Sequence, residues 1–456
     1  MTSANSLRIF RSVATRNVPA LFWGLLVLTG AVLLRADEEV GGRITVIRAG
    51  KVITVSGKTY QPGMVVLEDN KVRLVGASVE YPKSARVIDA RQETVMPGLV
   101  LPRTRYQLPS YSRGGVQAAR RATDEIIPSE IEFERFLQYG YTTIGFIPSG
   151  TGIPGAASAY RSGGADDQLL EADSAYLRVS MSNPSSDRRT LSSALKKAKA
   201  AIEKVKKARE KWTKQQQEEK KKAEETKKKP QKPPAPKPVA TPPKKPAPPK
   251  RPQQTKEAPK KFEPPKVDPN IQPFVDLLEG KTAIPIVFEL GQASDLRHLE
   301  QELKGYPQIT GNFFLRLGFY VDYHHIVEDL GQREALVILE PRTKLLSYTV
   351  NRVNLAADLS DSGATIAFIP SFDSTSAFRN VRIQVADLVR SGLSRATALR
   401  ALTVNAARVL GLEETIGTIE KGKRADLLFL DGDPLDPHSA PVRVMIDGEI
   451  VWRRKS

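Results

Sequence analysis

The stretch that most constrains what this chain can become is Val95-Met96-Pro97-Gly98-Leu99-Val100-Leu101-Pro102-Arg103-Thr104-Arg105. An apolar run, a Pro-Gly break, more apolar residues and then two arginines describe a buried strand that ends at an open mouth. Residues two apart on a strand point the same way, so Arg103 and Arg105 are expected to face one common space.

Composition narrows the chemistry at that mouth. The chain has no cysteine, which excludes disulfides, thiolate-held zinc and cysteine nucleophiles. Histidine occurs only at 298, 324, 325 and 438, a scarcity that argues against a histidine-rich metal centre. The formal charge of +18 invites a nucleic-acid reading, but residues 196–266 hold 25 Lys and Arg against 8 Asp and Glu. That segment accounts for nearly the whole excess, the remainder is close to neutral, and no specific nucleic-acid binding is expected.

Along the chain, residues 1–18 carry Arg8, Arg11 and Arg16 with no acidic residue, Val18 to Leu34 is uncharged, and Asp37-Glu38-Glu39 follows. This pattern predicts an export signal or membrane anchor over 1–36, with the folded part periplasmic or otherwise outside the cytoplasm. β-branched runs with Gly and Asp-Asn breaks predict strands at 43–48, 50–55, 63–68 and 71–76. A helix is expected over 129–139 and a strand over 140–148. The glycine-rich stretch 149–159 lacks the Lys-[Ser/Thr] ending of a phosphate loop and reads as a tight strand-to-helix connection. Residues 188–229 read as a Lys/Glu-rich helix, and 230–267, rich in Pro and Lys, as a disordered insertion. Strands are expected at 284–290, 317–321, 335–339 and 364–370, then a helix over 392–412 and a hairpin over 442–451.

Several of these stretches resemble one family. Pro97-Gly98-Leu99 and the residues after it resemble the first barrel strand of the amidohydrolase superfamily, PGL-[IV]-D-x-H-x-H, with Leu101 at the Asp position and Arg103 and Arg105 at the two His positions. Gly140-Tyr141-Thr142-Thr143 resembles its second strand, and 149–159 the glycine-rich loop of imidazolonepropionase-like members. Ala398 to Ala407 resembles its closing helix, and Gly417 to Leu427 its closing G-x-[IL]-x-x-G-x-x-A-D-[LI] motif. The resemblance implies an α/β fold: a (β/α)8 TIM-like barrel over 96–187 and 268–414. Beside it would stand a small β-sandwich built from both chain ends, 43–95 and 415–456, with 188–267 as the insertion.

The family's activity is metal-assisted hydrolysis of C–N bonds, cyclic amides among them, with zinc or another divalent ion held by histidines. Arginine has no lone pair to give a metal, so the resemblance implies the frame and lacks the ligands. No metal or other cofactor is expected. Glu289 falls near a later ligand position, Asp322 near the next, and Asp373 two residues beyond the proton-shuttle position that Ser371 takes. His324 and His325 read as surface or capping residues, His298 and His438 as incidental.

Three functions remain open at this point. One is an inactive barrel in which Arg103 and Arg105 either pair with Glu289 and Asp373 or form a fork for an anionic small molecule. Another is an active hydrolase with a non-standard site built on Glu289, Asp322 and Asp373. The third is a membrane-tethered scaffold in which 196–266 meets a membrane or an anionic polymer.

Overall fold

The computed structural model describes residues 43–111, 113–164, 168–228, 261–281, 284–318, 322–345 and 349–455. The expected export segment and most of the Pro/Lys-rich stretch lie outside the described residues.

Eight strands form one sheet: β1 Leu99–Thr104, β2 Tyr141–Phe146, β3 Gly155–Arg161, β4 Leu170–Ser180, β5 Ile286–Leu290, β6 Gly311–Leu315, β7 Leu336–Leu339 and β8 Thr365–Phe368. They are hydrogen-bonded in chain order, and β8 returns beside β1, so the sheet is a nearly closed barrel. The seam between β8 and β1 is backed by α9 (Val404–Val409), where the Asn405 amide donates to the Ile366 carbonyl at 2.8 Å.

The expectation of a regular (β/α)8 barrel needs a correction. β3 runs antiparallel to both β2 and β4, and the other ladders are parallel. The chain after β2 therefore does not enter a helix, as read from 149–159, but turns back as a strand. Its alanines and small residues, Gly155-Ala156-Ala157-Ser158-Ala159, are all buried, leaving no polar face on which a surface helix could rest. Gly150 and Gly155 take positive φ angles, and a Cβ on either would sit 2.5 Å from a carbonyl of the segment 113–120 that lies across them.

Other bounds also shift. The strand expected at 317–321 forms at Gly311–Leu315, where Phe313, Phe314 and Leu315 supply the buried apolar run; 319–321 lie outside the described residues. The helix expected over 129–139 shortens to α1, Phe133–Gln138. The one expected over 392–412 breaks at Thr403 into α8, Arg395–Leu402, and α9.

Both chain ends meet in a second sheet, in the order Glu449–Arg453, Pro441–Ile446, Leu427–Leu430, Arg86–Pro97, Ile44–Ile53, Gly63–Glu68, Lys71–Gly76, with Thr59–Tyr60 added to Ile44–Ile53. This is one continuous hydrogen-bonded sheet rather than two facing ones. The strands read separately at 43–48 and 50–55 are one strand with a bulge between Ala49 and Lys51. The Pro-Gly break seen in the sequence is the hinge between the sheets. Arg86–Pro97 pairs outward with Leu427–Leu430, and Leu99 begins β1. Gly98 donates to the Asp426 carbonyl at 2.9 Å, and a Cβ there would fall 2.2 Å from the Thr142 hydroxyl oxygen.

The insertion is more integrated than its composition suggests. Helix α2 spans Pro184–Lys228, 45 residues, and is about 68 Å long. Its first turns belong to the barrel, since Leu191, Ala194, Leu195 and Ala198 are fully buried in the main core. Over 203–222 the helix is exposed apart from a half-buried line through Val205, Ala208, Trp212 and Gln216. Phe262 packs on Trp212 with ring centroids 5.8 Å apart, so 261–267, read as disordered, lies along α2. Among the described residues no helix is long and apolar enough to cross a membrane.

Arg424, in the closing motif, ties the two sheets together. It donates to Asp426 through Nε and Nη2 (2.9 and 2.6 Å to Oδ2) and to both oxygens of Glu171 on β4 (2.7 and 2.9 Å), all three side chains being buried. Arg424→Met strands the buried Asp426 carboxylate and leaves Glu171 to Arg161 alone, and is expected to lower stability by about 3–5 kcal/mol, read as a drop in the urea midpoint. An unchanged midpoint would show that this bridge is dispensable.

Candidate functional site

The barrel interior follows from strand alternation. Tyr176, Val287, Phe314 and Ile338 meet in one apolar cluster inside the barrel. The residues two further on, at the carboxyl ends of β4 to β7, are Arg178, Glu289, Arg316 and Glu340. Period-two alternation turns them the same way, so four adjacent strands end in charges of alternating sign. Arg103, at the end of β1, completes the set.

Glu289 is the centre of this mouth and is 1% exposed. Arg178 grips it with both prongs, Nε to Oε1 at 2.6 Å and Nη2 to Oε2 at 3.0 Å. Arg103 Nη2 adds a bond to Oε1 at 2.9 Å, and Arg316 stands 3.9 Å from Oε2. Burial alone would push the Glu289 carboxyl up, but the guanidiniums of Arg178 and Arg103 hold it well below the usual carboxylate range. The Arg103 guanidinium also lies over the Phe314 ring, 4.3 Å from its centre. Arg178 Nη1 donates to the carbonyls of Pro148 and Gly150 at 3.1 and 3.2 Å, fastening the glycine-rich loop to the mouth.

Arg105 serves a different carboxylate. Its guanidinium donates to Glu125 at 3.3 Å, to the Ile147 carbonyl at 2.7 Å and to the Pro109 carbonyl. Glu125, also buried, further accepts from Arg120 and from the Ser149 amide at 3.1 Å. The expectation of a common space for Arg103 and Arg105 is thereby corrected. After Thr104 the backbone leaves the strand, and each guanidinium goes to its own buried carboxylate.

Asp373 is exposed and accepts from the Thr104 hydroxyl. Asp322 accepts the Ala293 amide at 2.9 Å at the start of α4, Ser294–Leu303, and is a helix cap. His324 and His325 stack on each other in an exposed turn, His298 meets Arg188 at 3.4 Å, and His438 is 96% exposed beside Asp436. Among the described residues no three His, Asp or Glu side chains gather as a metal would need.

Sequence reading missed Arg178, Arg316, Glu340, Glu125 and Arg120. The first three carried a signal, a charge two places after an interior apolar residue at a strand end. Glu125 and Arg120 sit in the irregular segment between β1 and β2, where no periodicity points. Burial pushes the Glu340 carboxyl up, against the pull of Arg342, whose Nη2 is 2.6 Å away.

Glu289→Gln is expected to destabilise the fold by about 3–5 kcal/mol at pH 7, because it leaves buried arginines unpaired. The folded carboxyl titrates below its unfolded value, so its contribution is complete above about pH 4.3 and is lost as pH falls through the folded value. The gap between wild type and Glu289→Gln in chemical denaturation should stay level from pH 8 to 5 and shrink below pH 4. A gap that closes near neutral pH would contradict the assignment.

Comparison with known proteins agrees with this architecture. The model of the amidohydrolase family matches residues 308–452. An imidazolonepropionase from Rubrobacter xylanophilus is 34% identical over 158 residues, 34% of this chain and 32% of that protein. One from Sphingopyxis alaskensis is 56% identical over 46 residues, 10% of this chain and 11% of that protein. The matched segments thus span about a third or less of these relatives. Among solved structures, an amidohydrolase from Thermotoga maritima superposes with a TM-score of 0.63 over 90% of this chain and 100% of that one, at 22% identity, a likeness of fold. With the strand frame and the closing motif, these matches support a place for the chain in the amidohydrolase superfamily.

Proposed function

We propose that this chain is a metal-free, catalytically silent barrel that acts by binding, outside the cytoplasm. The observation that carries the reading is Arg103. It stands where the family places a metal-ligating histidine, and its guanidinium is bound to Glu289, the residue nearest a second ligand position. A guanidinium has no lone pair to offer, and the Glu289 oxygens already accept three bonds from Arg103 and Arg178. A divalent ion here would face three arginines; each unit-charge pair at 4 Å costs about 4 kcal/mol at an effective dielectric of about 20. The donor set therefore does not fit a metal, and no hydrolytic step is derived through one. Export rests on the positive, apolar, acidic order of residues 1–39.

The test is elemental mass spectrometry of chain purified after zinc and manganese supplementation, alongside assays on cyclic amides. A metal content near zero and no turnover are expected. One tightly held ion per chain, or turnover lost in Glu289→Gln, would overturn the proposal.

A further inference from the structure

The mouth holds more positive charge than its carboxylates neutralise, and the surplus gathers above β6 and β7. Five cations, Arg103, Arg178, Arg316, Arg342 and Lys344, surround two carboxylates, Glu289 and Glu340. Arg103 and Arg178 take up Glu289 with direct hydrogen bonds. Arg316 is left with a long contact of 3.9 Å, and its side chain is 54% exposed. Arg342 Nη2 stands 2.6 Å from Glu340 and donates to the Leu317 carbonyl at 2.6 Å, and Lys344 Nζ donates to the Gly318 carbonyl at 2.9 Å. Both heads are thus drawn over the residues that directly follow Arg316. Arg342 Nε is buried with no acceptor among the described residues, an orphan donor of the kind a ligand commonly satisfies. The crowding is also felt electrostatically: burial and the charge of Arg342 push the Lys344 ammonium down.

We propose that Arg316, Arg342 and Lys344 form a binding site for a phosphate-type dianion, either free phosphate or the terminal phosphate of an ester. Arg316 offers an exposed planar fork for two oxygens, Arg342 Nε a buried donor, and Lys344 a compact charge. The Glu289 carboxylate stands 3.9 Å from Arg316. The proposal rests on the metal-free reading above, because a metal ion at the mouth would itself take the phosphate.

The test is calorimetric titration of the full chain, treated with EDTA, with inorganic phosphate and with methyl phosphate in low-salt buffer at neutral pH. Saturable binding is expected. Equal affinity for methyl phosphate would identify an ester terminus as the ligand, and preference for inorganic phosphate the free ion. Arg316→Gln and Lys344→Gln, each first checked for an unchanged circular dichroism spectrum, should weaken binding about tenfold or more. Replacing Lys204, Lys207, Lys211 and Lys214 on the exposed part of α2 with Gln should leave it unchanged. Absence of saturation, or loss in the α2 variant while Arg316→Gln binds as wild type, would overturn the proposal. A metal-bearing chain whose phosphate binding disappears with EDTA would overturn both readings; a metal-free chain that ignores phosphate would overturn this one alone.

Discussion

A carboxylate buried inside a barrel must be paired or neutralised, because transfer from water costs several kcal/mol per ion even after relaxation. Glu289 meets that demand with Arg178 and Arg103, and the rest of the mouth follows from this pairing. Arg178, having used one edge on Glu289, turns its remaining nitrogen to the carbonyls of Pro148 and Gly150 and so fixes the glycine-rich loop. Arg103, having used its tip, lays its plane on Phe314. Lysine could do neither, since it has no second edge and no flat face. The result is a rim in which Arg103, Arg178 and Glu289, from three strands, hold one another in place.

A second set of ion pairs does the same at the opposite level of organisation, between sheets. Arg424 comes from the last part of the chain, Glu171 from β4, and Asp426 immediately precedes the strand that pairs with Arg86–Pro97. The same Asp426 receives the Gly98 amide through its carbonyl and the Asp447 amide through its carboxylate. One short segment thus holds the hinge from which β1 departs, and β1 carries Arg103. The closing motif and the first barrel strand, more than 300 residues apart in sequence, act as one structural unit.

The folded part departs from a regular barrel where the chain replaces a helix with β3. That substitution has a consequence for the rim. With β3 running backwards, the segment 113–121 crosses the glycine-rich loop and brings Arg120 and Glu125 to Arg105. The two arginines of the first strand end on separate carboxylates because this extra layer supplies the second one.

What the sequence determined by itself was the frame. The Pro-Gly break, the apolar strands and the closing Arg424-Ala425-Asp426 segment are local patterns whose physics acts over a few residues, and they appear as read or shifted by a few positions, while the helix read across Ala398–Ala407 breaks at Thr403. It also placed Arg103 and Glu289 at strand ends that face each other. Tertiary structure alone decided which charge meets which. Arg105 pairs with Glu125 through a segment without periodicity, Arg178 reaches Glu289 through a ladder 111 residues apart, and β3 runs antiparallel to both of its neighbours. Long-range pairing depends on barrel register and on the direction of each strand, and neither is written in any window short enough to be read along the chain.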